Sequence, residues 1–178
     1  MWLLVKQGHN VALGCWCAPK RCHGESVKRL IESALDSSAS IVFMGGSISI
    51  KELPADKYML LSIDNAARSA HIVIGDAPGG DTVIQEYLYK HGYRNVTVYY
   101  RGSQSAPRNN IGGWKAIAYG SSFVDKDIEM SRVCNSGLFL WDRNSKGTKS
   151  NIDRLRYMGK PVLVFDQQAI TAADRLYS

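Results

Sequence analysis

A doubly wound α/β domain, its mostly parallel five-stranded sheet covered by helices on both faces, is the fold this chain predicts, and two observations carry that expectation. The first is a set of short apolar runs rich in β-branched residues: Ile41-Val42-Phe43-Met44, His71-Ile72-Val73-Ile74, Val96-Thr97-Val98-Tyr99, Gly137-Leu138-Phe139-Leu140-Trp141 and Pro161-Val162-Leu163-Val164-Phe165. Runs of that length and composition read as buried strands. The second is the amphipathic segments between them, at 56–69, 81–91, 125–133 and 148–158, whose apolar residues recur at helical spacing. Strand and helix alternate, so right-handed crossovers and parallel pairing follow. Gly92 and Gly159 stand where helix C-terminal glycines belong.

The stretch 101–122 breaks the rhythm. It is rich in Gly, Ser, Asn and Pro around Asn109-Asn110-Ile111-Gly112-Gly113-Trp114-Lys115, and reads as a long functional loop that closes over a ligand, or as a surface loop anchored by its tryptophan. In the closing version Trp114 stacks on a base while Lys115 or Arg108 meets a phosphate. A junction at Asp36-Ser37-Ser38-Ala39-Ser40 divides an N-terminal appendage, 1–38, from the main domain, 39–178.

Composition narrows the class. Of the 178 residues 45% are hydrophobic and 21% charged, which excludes disordered and fibrous chains. No apolar stretch reaches the length of a bilayer span, and Lys6, Gln7, His9 and Asn10 interrupt the opening apolar residues too soon for a signal peptide. A cytoplasmic protein with no membrane partner is expected. The net charge of +6 suits an anionic partner, either a phosphorylated small molecule or a nucleic-acid backbone.

Three polar turns follow predicted strands. Gly45-Gly46-Ser47 follows the first, Gly75-Asp76-Ala77-Pro78-Gly79-Gly80-Asp81 the second, and Trp141-Asp142-Arg143-Asn144-Ser145-Lys146-Gly147-Thr148 the fourth. A doubly wound sheet offers its ligand site outside such strand ends, and the last two turns lead directly into helices, whose N-terminal amides suit phosphate or sugar oxygens. Asp76 or Asp81 would accept ribose hydroxyls, and Ser145, Lys146 and Thr148 add donors. The expected ligand-binding set is Gly45, Gly46, Ser47, Asp76, Gly79, Gly80, Asp81, Arg108, Asn110, Trp114, Lys115, Asp142, Ser145, Lys146, Gly147 and Thr148. The competing reading is that the turns are only tight connections. Neither a Walker lysine loop nor a complete G-x-G-x-x-G is present.

At these residues the chain resembles the SLOG superfamily of Rossmann-like domains, which includes the lysine-decarboxylase-like phosphoribohydrolases (LOG proteins), DprA-type domains and the YspA/YpsA-related proteins. The resemblance spans roughly 40–165. It rests on Phe43-Met44-Gly45-Gly46-Ser47, on Gly75-Asp76-Ala77-Pro78-Gly79-Gly80-Asp81, on Asp127-Ile128-Glu129-Met130, and on Trp141-Asp142 with Ser145-Lys146-Gly147-Thr148. It implies a nucleotide or nucleoside-derived ligand, with or without cleavage of an N-glycosidic bond. It also implies a homo-oligomer such as a homodimer. The phosphoribohydrolases carry P-G-G-x-G-T-x-x-E; here Pro78-Gly79-Gly80 keeps the glutamate spacing in Glu86 but lacks the G-T pair, and Gly147-Thr148 is followed by Asn151 in place of the glutamate. If chemistry occurs, Asp81, Glu86 and Asp142 are the acids expected to carry it, with Asp127 and Glu129 also available. The alternatives are a DprA-like nucleic-acid-binding protein, with Arg101, Arg108, Lys115, Lys146 and Lys149 on phosphates, and a non-catalytic sensor or assembly module.

Cys15, Cys17, Cys22 and His23 fall within nine residues of the appendage. Thiolates and an imidazole can hold zinc, although the spacing is tighter than usual and reduced thiols packed with Trp16 are the favoured expectation. No cofactor is required by the reading. The run from Leu13 to Gly24 also resembles the C-terminal signature, C-W-C-x-P-x-x-C-H-G/A, of a small family of uncharacterised bacterial and phage proteins; only that end of the pattern is present, so a remnant, a truncated start or a cap is expected.

Overall fold

The computed structural model describes residues 40–166, all within the compact unit Ser40–Ser178. Among the described residues the order is β1 (Ile41–Gly46), α1 (Lys57–Ser69), β2 (His71–Gly75), α2 (Gly80–Lys90), β3 (Val96–Arg101), β4 (Lys115–Tyr119), α3 (Phe123–Val133), β5 (Ser136–Trp141), α4 (Lys146–Tyr157) and β6 (Val162–Asp166). The six strands form one sheet in the order β4-β3-β2-β1-β5-β6. Every neighbouring pair is parallel. The doubly wound α/β expectation therefore holds, and no helix among the described residues is long and apolar enough to cross a membrane.

Alternation along the central strands sorts side chains to two faces. Val42, Met44, Ile72 and Ile74 join Met59 and Ile63 of α1 and Ile84 and Leu88 of α2 in one buried cluster. Phe43, Val73 and Phe139 join Met130 of α3 and Ile152 and Leu155 of α4 in the other, with Phe43 and Phe139 edge to face at 5.0 Å. Both faces of a parallel sheet need such cover, because its interior strands have no polar face to offer water. The helices start where the sequence provides caps: Asp56 accepts from the Met59 amide, Ser122 and Asp125 form a reciprocal capping box, and Ser145 accepts from the Thr148 amide.

One strand departs from expectation, so the sheet has six strands rather than five. The stretch that reads as a long loop contains β4, an edge strand in which only Ile117 is partly buried. An edge strand exposed along its length carries little hydrophobic periodicity, which is why Lys115-Ala116-Ile117-Ala118-Tyr119 does not announce itself. The parallel β3 to β4 crossover, 102–114, contains no helix. Its tryptophan takes a helix's place: Trp114 is 8% exposed, packs in the first cluster and donates from Nε1 to the Tyr93 carbonyl at 3.2 Å.

The reversal in strand order lies between β1 and β5. The chain moves outward from β1 through β2, β3 and β4, then returns to the other side of β1 as β5. At such a switch point the connections leave in opposite directions and a crevice opens outside the strand ends.

Candidate functional site

The β1 turn is held to its neighbours by short polar links. Ser47 Oγ, fully buried, donates to Asp142 Oδ1 at 3.0 Å, and the Ser47 amide donates to the Leu140 carbonyl at 3.0 Å. The Gly80 amide donates to the Ser47 carbonyl at 2.9 Å. Glycine is required on both sides of this junction. A Cβ on Gly80 would lie 2.4 Å from Gly46 Cα, and one on Gly79, whose φ is +84°, would lie 2.2 Å from the Ile48 carbonyl oxygen. The three turns thus meet at one end of the sheet, and much of their glycine content serves contact between backbones.

Between them lies a cavity of about 250 Å³. Gly45, Gly46 and Ile48 border it from β1, Ala77 and Asp81 from the β2 turn and α2, and Ser145, Gly147, Thr148 and Asn151 from the start of α4. Phe43, Met130 and Phe139 supply an apolar floor, while Arg108, Phe123, Lys126 and Asp127 close the remaining side. Apolar walls with a few converging polar groups are what small-molecule sites share.

Charge is concentrated on one wall. Asp76 is completely buried; Arg108 grips it through Nε at 3.0 Å, Nη2 at 2.9 Å and its amide at 3.1 Å. Burial alone would raise the Asp76 carboxyl, but the hydrogen bonds and charge of Arg108, aided by Lys126, hold it below the ordinary carboxylate value. Lys126, 3% exposed, places Nζ 3.0 Å from Asp127 Oδ1 and 3.9 Å from Asp76 Oδ1. Asp127 Oδ2 accepts from Asn151 Nδ2 at 3.1 Å. Asp81 accepts from the Gly46 amide at 3.1 Å and the Ala77 amide at 3.2 Å, tying the first two turns together. Burial pushes its carboxyl up to about 6, Lys126 opposing and Asp127 reinforcing the rise.

Asp142 is the counterexample. Burial pushes it up as well, but donation from Ser49, Ser145, Asn144 and Ser47 prevails and holds it at about 2. It fixes the entry to α4 and is not among the residues bordering the cavity.

A family profile described as Domain of unknown function (DUF4326) matches residues 3–33. That stretch contains Cys15, Cys17, Cys22 and His23, which lie outside the described residues. No curated protein matches the chain.

Of the site residues expected from sequence, Gly45, Gly46, Asp81, Arg108, Ser145, Gly147 and Thr148 border the cavity. Ser47, Asp76, Gly79, Gly80 and Asp142 stand behind it as the framework described above. Glu86 and Lys146 are exposed on α2 and α4, away from its lining. Trp114 and Lys115 sit at the opposite end of the sheet: Lys115 opens β4 in register with Thr97 near the start of β3, and Asn110 bonds to the Trp114 backbone through both ends of its amide. A lid in which Trp114 stacks on a base is incompatible with that placement, because the strand pairing that buries the indole also carries it away from the strand carboxyl ends.

Sequence reasoning missed Phe123, Lys126 and Asn151. A signal for Lys126 existed: it shares a helical stripe with Phe123 and Met130, at spacings of three and four, so an unbroken apolar face would have placed a lysine inward.

Proposed function

We propose that the cleft binds a nucleotide or nucleoside derivative, and that Asp81 supports cleavage of its N-glycosidic bond. One observation carries the reading: turns separated by about a hundred residues border a single cavity at the strand-order reversal, and a carboxyl displaced to about 6 sits on its wall. The volume, about 250 Å³, falls just below the roughly 300–1,000 Å³ of typical small-molecule pockets and so favours one nucleoside unit over a dinucleotide. The resemblance of the Gly45 and Asp81 turns to SLOG domains supports the same ligand class.

In this reading the apolar floor receives the base, and protonated Asp81 donates to the departing base nitrogen as the bond to the sugar breaks. Asp127 steadies the oxocarbenium-like centre until water adds to it. Glu86 and Asp142 take no part, the first for its position and the second because its oxygens are already engaged by four donors.

Nucleoside monophosphates, cyclic nucleotides and ADP-ribose derivatives, assayed by thermal shift and by release of free base, test the proposal. Stabilisation with base release that Asp81→Asn abolishes is the expected result. Stabilisation without release removes the chemistry and keeps the binding; no stabilisation by any member of the panel removes both. A nucleic-acid surface is disfavoured by the separation of Lys115 and Lys146 to opposite ends of the sheet.

A further inference from the structure

Both faces of β5 and β6 carry apolar side chains, but the two faces are covered unequally. On one, Ile152 and Leu155 of α4 pack with Val162 and Val164. On the other, α1 and α2 pack over β1 and β2, and among the described residues α4 is the helix that packs extensively on β6. Leu163 and Phe165 alternate to this second face, in register with Leu138 and Leu140. Leu163 is 46% exposed there.

A groove of about 340 Å³ follows from that gap. Ser62 and Ala66 of α1 form one bank and Leu163 the other, with the buried Val42 and Leu138 between them. It lies beside the first residues of β1, β5 and β6, at the end of the sheet opposite the cleft. An apolar groove of this kind on a parallel sheet is the seat of a helix in doubly wound folds.

The chain itself supplies a segment of the right length and pattern. Residues 167–178, outside the described residues, follow β6 directly. In their sequence Ile170, Ala173, Leu176 and Tyr177 recur at spacings of three and four, while Thr171, Asp174, Arg175 and Ser178 fall on the opposite side of a helical wheel. Ala169, Ala172 and Ala173 favour helix over strand. The five residues of β6 span roughly 16 Å, and twelve helical residues span about 18 Å. A helix turning back from Asp166 along β6 therefore ends beside the groove.

We infer that residues 167–178 dock on the open face of β6 and fill this groove, with Leu176 and Tyr177 set against Leu163 and Ala66. The opposite face is already taken by α4, which leaves this one to the returning chain. A segment tethered to the strand it covers also has a high effective concentration there, an advantage that a second copy of the protein lacks.

Nuclear Overhauser measurements on the full chain, with the methyl groups of Ile, Leu and Val labelled, decide it. Contacts from the Leu163 or Val42 methyls to those of Ile170 or Leu176 are expected within one chain. Leu176→Glu is expected to remove them and to lower Tm by at least about 2 °C, while Arg175→Gln, on the polar side of the pattern, leaves both unchanged. Absence of these contacts in the wild type overturns the inference without any variant. Contacts that arise only between differently labelled copies in a mixed sample overturn it as well, by giving the groove to a second molecule. Equal effects of the two substitutions on Tm would do the same, because a docked stripe distinguishes them.

Discussion

Asp81 borders the cavity and Asp142 stands behind it, and their contributions to stability respond to pH in opposite senses. The Asp81 carboxyl rises from 3.8 to about 6 on folding, with burial as the leading cause. A proton therefore favours the folded state; the contribution is complete below the unfolded value and is lost as pH climbs through about 6. A shift of that size corresponds to about 3 kcal/mol. Urea unfolding between pH 4 and pH 7 is expected to show the wild type losing about 3 kcal/mol more than Asp81→Asn, and parallel profiles would show that Asp81 ionises freely. Asp142, held at about 2, contributes above the unfolded value and loses its contribution as pH falls through 2. Lys126 moderates the first effect. Its replacement by methionine leaves Asp127 without its cation and Asp76 with Arg108 alone, and is expected to cost about 3–5 kcal/mol in chemical denaturation. Asp81 and Asp142 were legible in the sequence because each belongs to a polar turn between a strand and the helix after it. Lys126 was not, since lysine in a helical segment ordinarily points to water and only the pattern around it says otherwise.

Elements meet through close backbone contact at one place and through one large side chain at another. Gly80→Ala drives a methyl group into Gly46 and should lower stability by about 1–3 kcal/mol, whereas Gly147→Ala, whose Cβ would meet nothing within 4 Å, should leave it unchanged or raise it by up to about 1 kcal/mol. Melting curves of the two variants make the comparison; equal effects would mean that the junction yields easily. Trp114→Ala belongs to the same scale. It empties a core position and is expected to cost about 3–5 kcal/mol while ligand affinity in the folded fraction stays near wild type, a split that separates a packing residue from a binding one. Helices α1, α3 and α4 were readable because a capping residue and periodicity agree at each, as with Asp56 ahead of Met59 and Ile63, whereas α2, entered from Gly79 without a side-chain cap, was readable from periodicity alone. Strand β4 was not, because strand 115–119 owes its conformation to pairing with β3 rather than to a buried face of its own.

For the molecule as a whole, alternation of strand and helix was enough to foresee a parallel sheet covered on both sides, but not the order of strands within it. Order depends on which side of β1 the returning chain takes, and that is decided by packing of α3 and α4 on the face opposite α1 and α2. The site inherits its position from that choice, so local motifs named the turns while the cavity between them required the assembled fold. Its scale also sets the response to salt. Binding of a nucleotide with one phosphate should give a shallow dependence, with log affinity against log salt having a slope of magnitude no more than about 2. A nucleic-acid surface with six to ten phosphate contacts would lose about a thousandfold or more between 50 and 200 mM. Titrations across that range distinguish the two.

The helix-free passage from β3 to β4 bears on how far this architecture can be re-engineered. Gly102, Ser103, Ser105 and Ala106 all face solvent there, and loop closure grows costlier by only about 0.6 kcal/mol per doubling of length. Extra residues grafted after Ser105 would be tolerated, whereas even one inserted between Gly79 and Gly80 would break the interlock that gives the crevice its shape. Diversification of this scaffold therefore has a natural address, on the rim beside Phe123 and remote from the interlocked glycines.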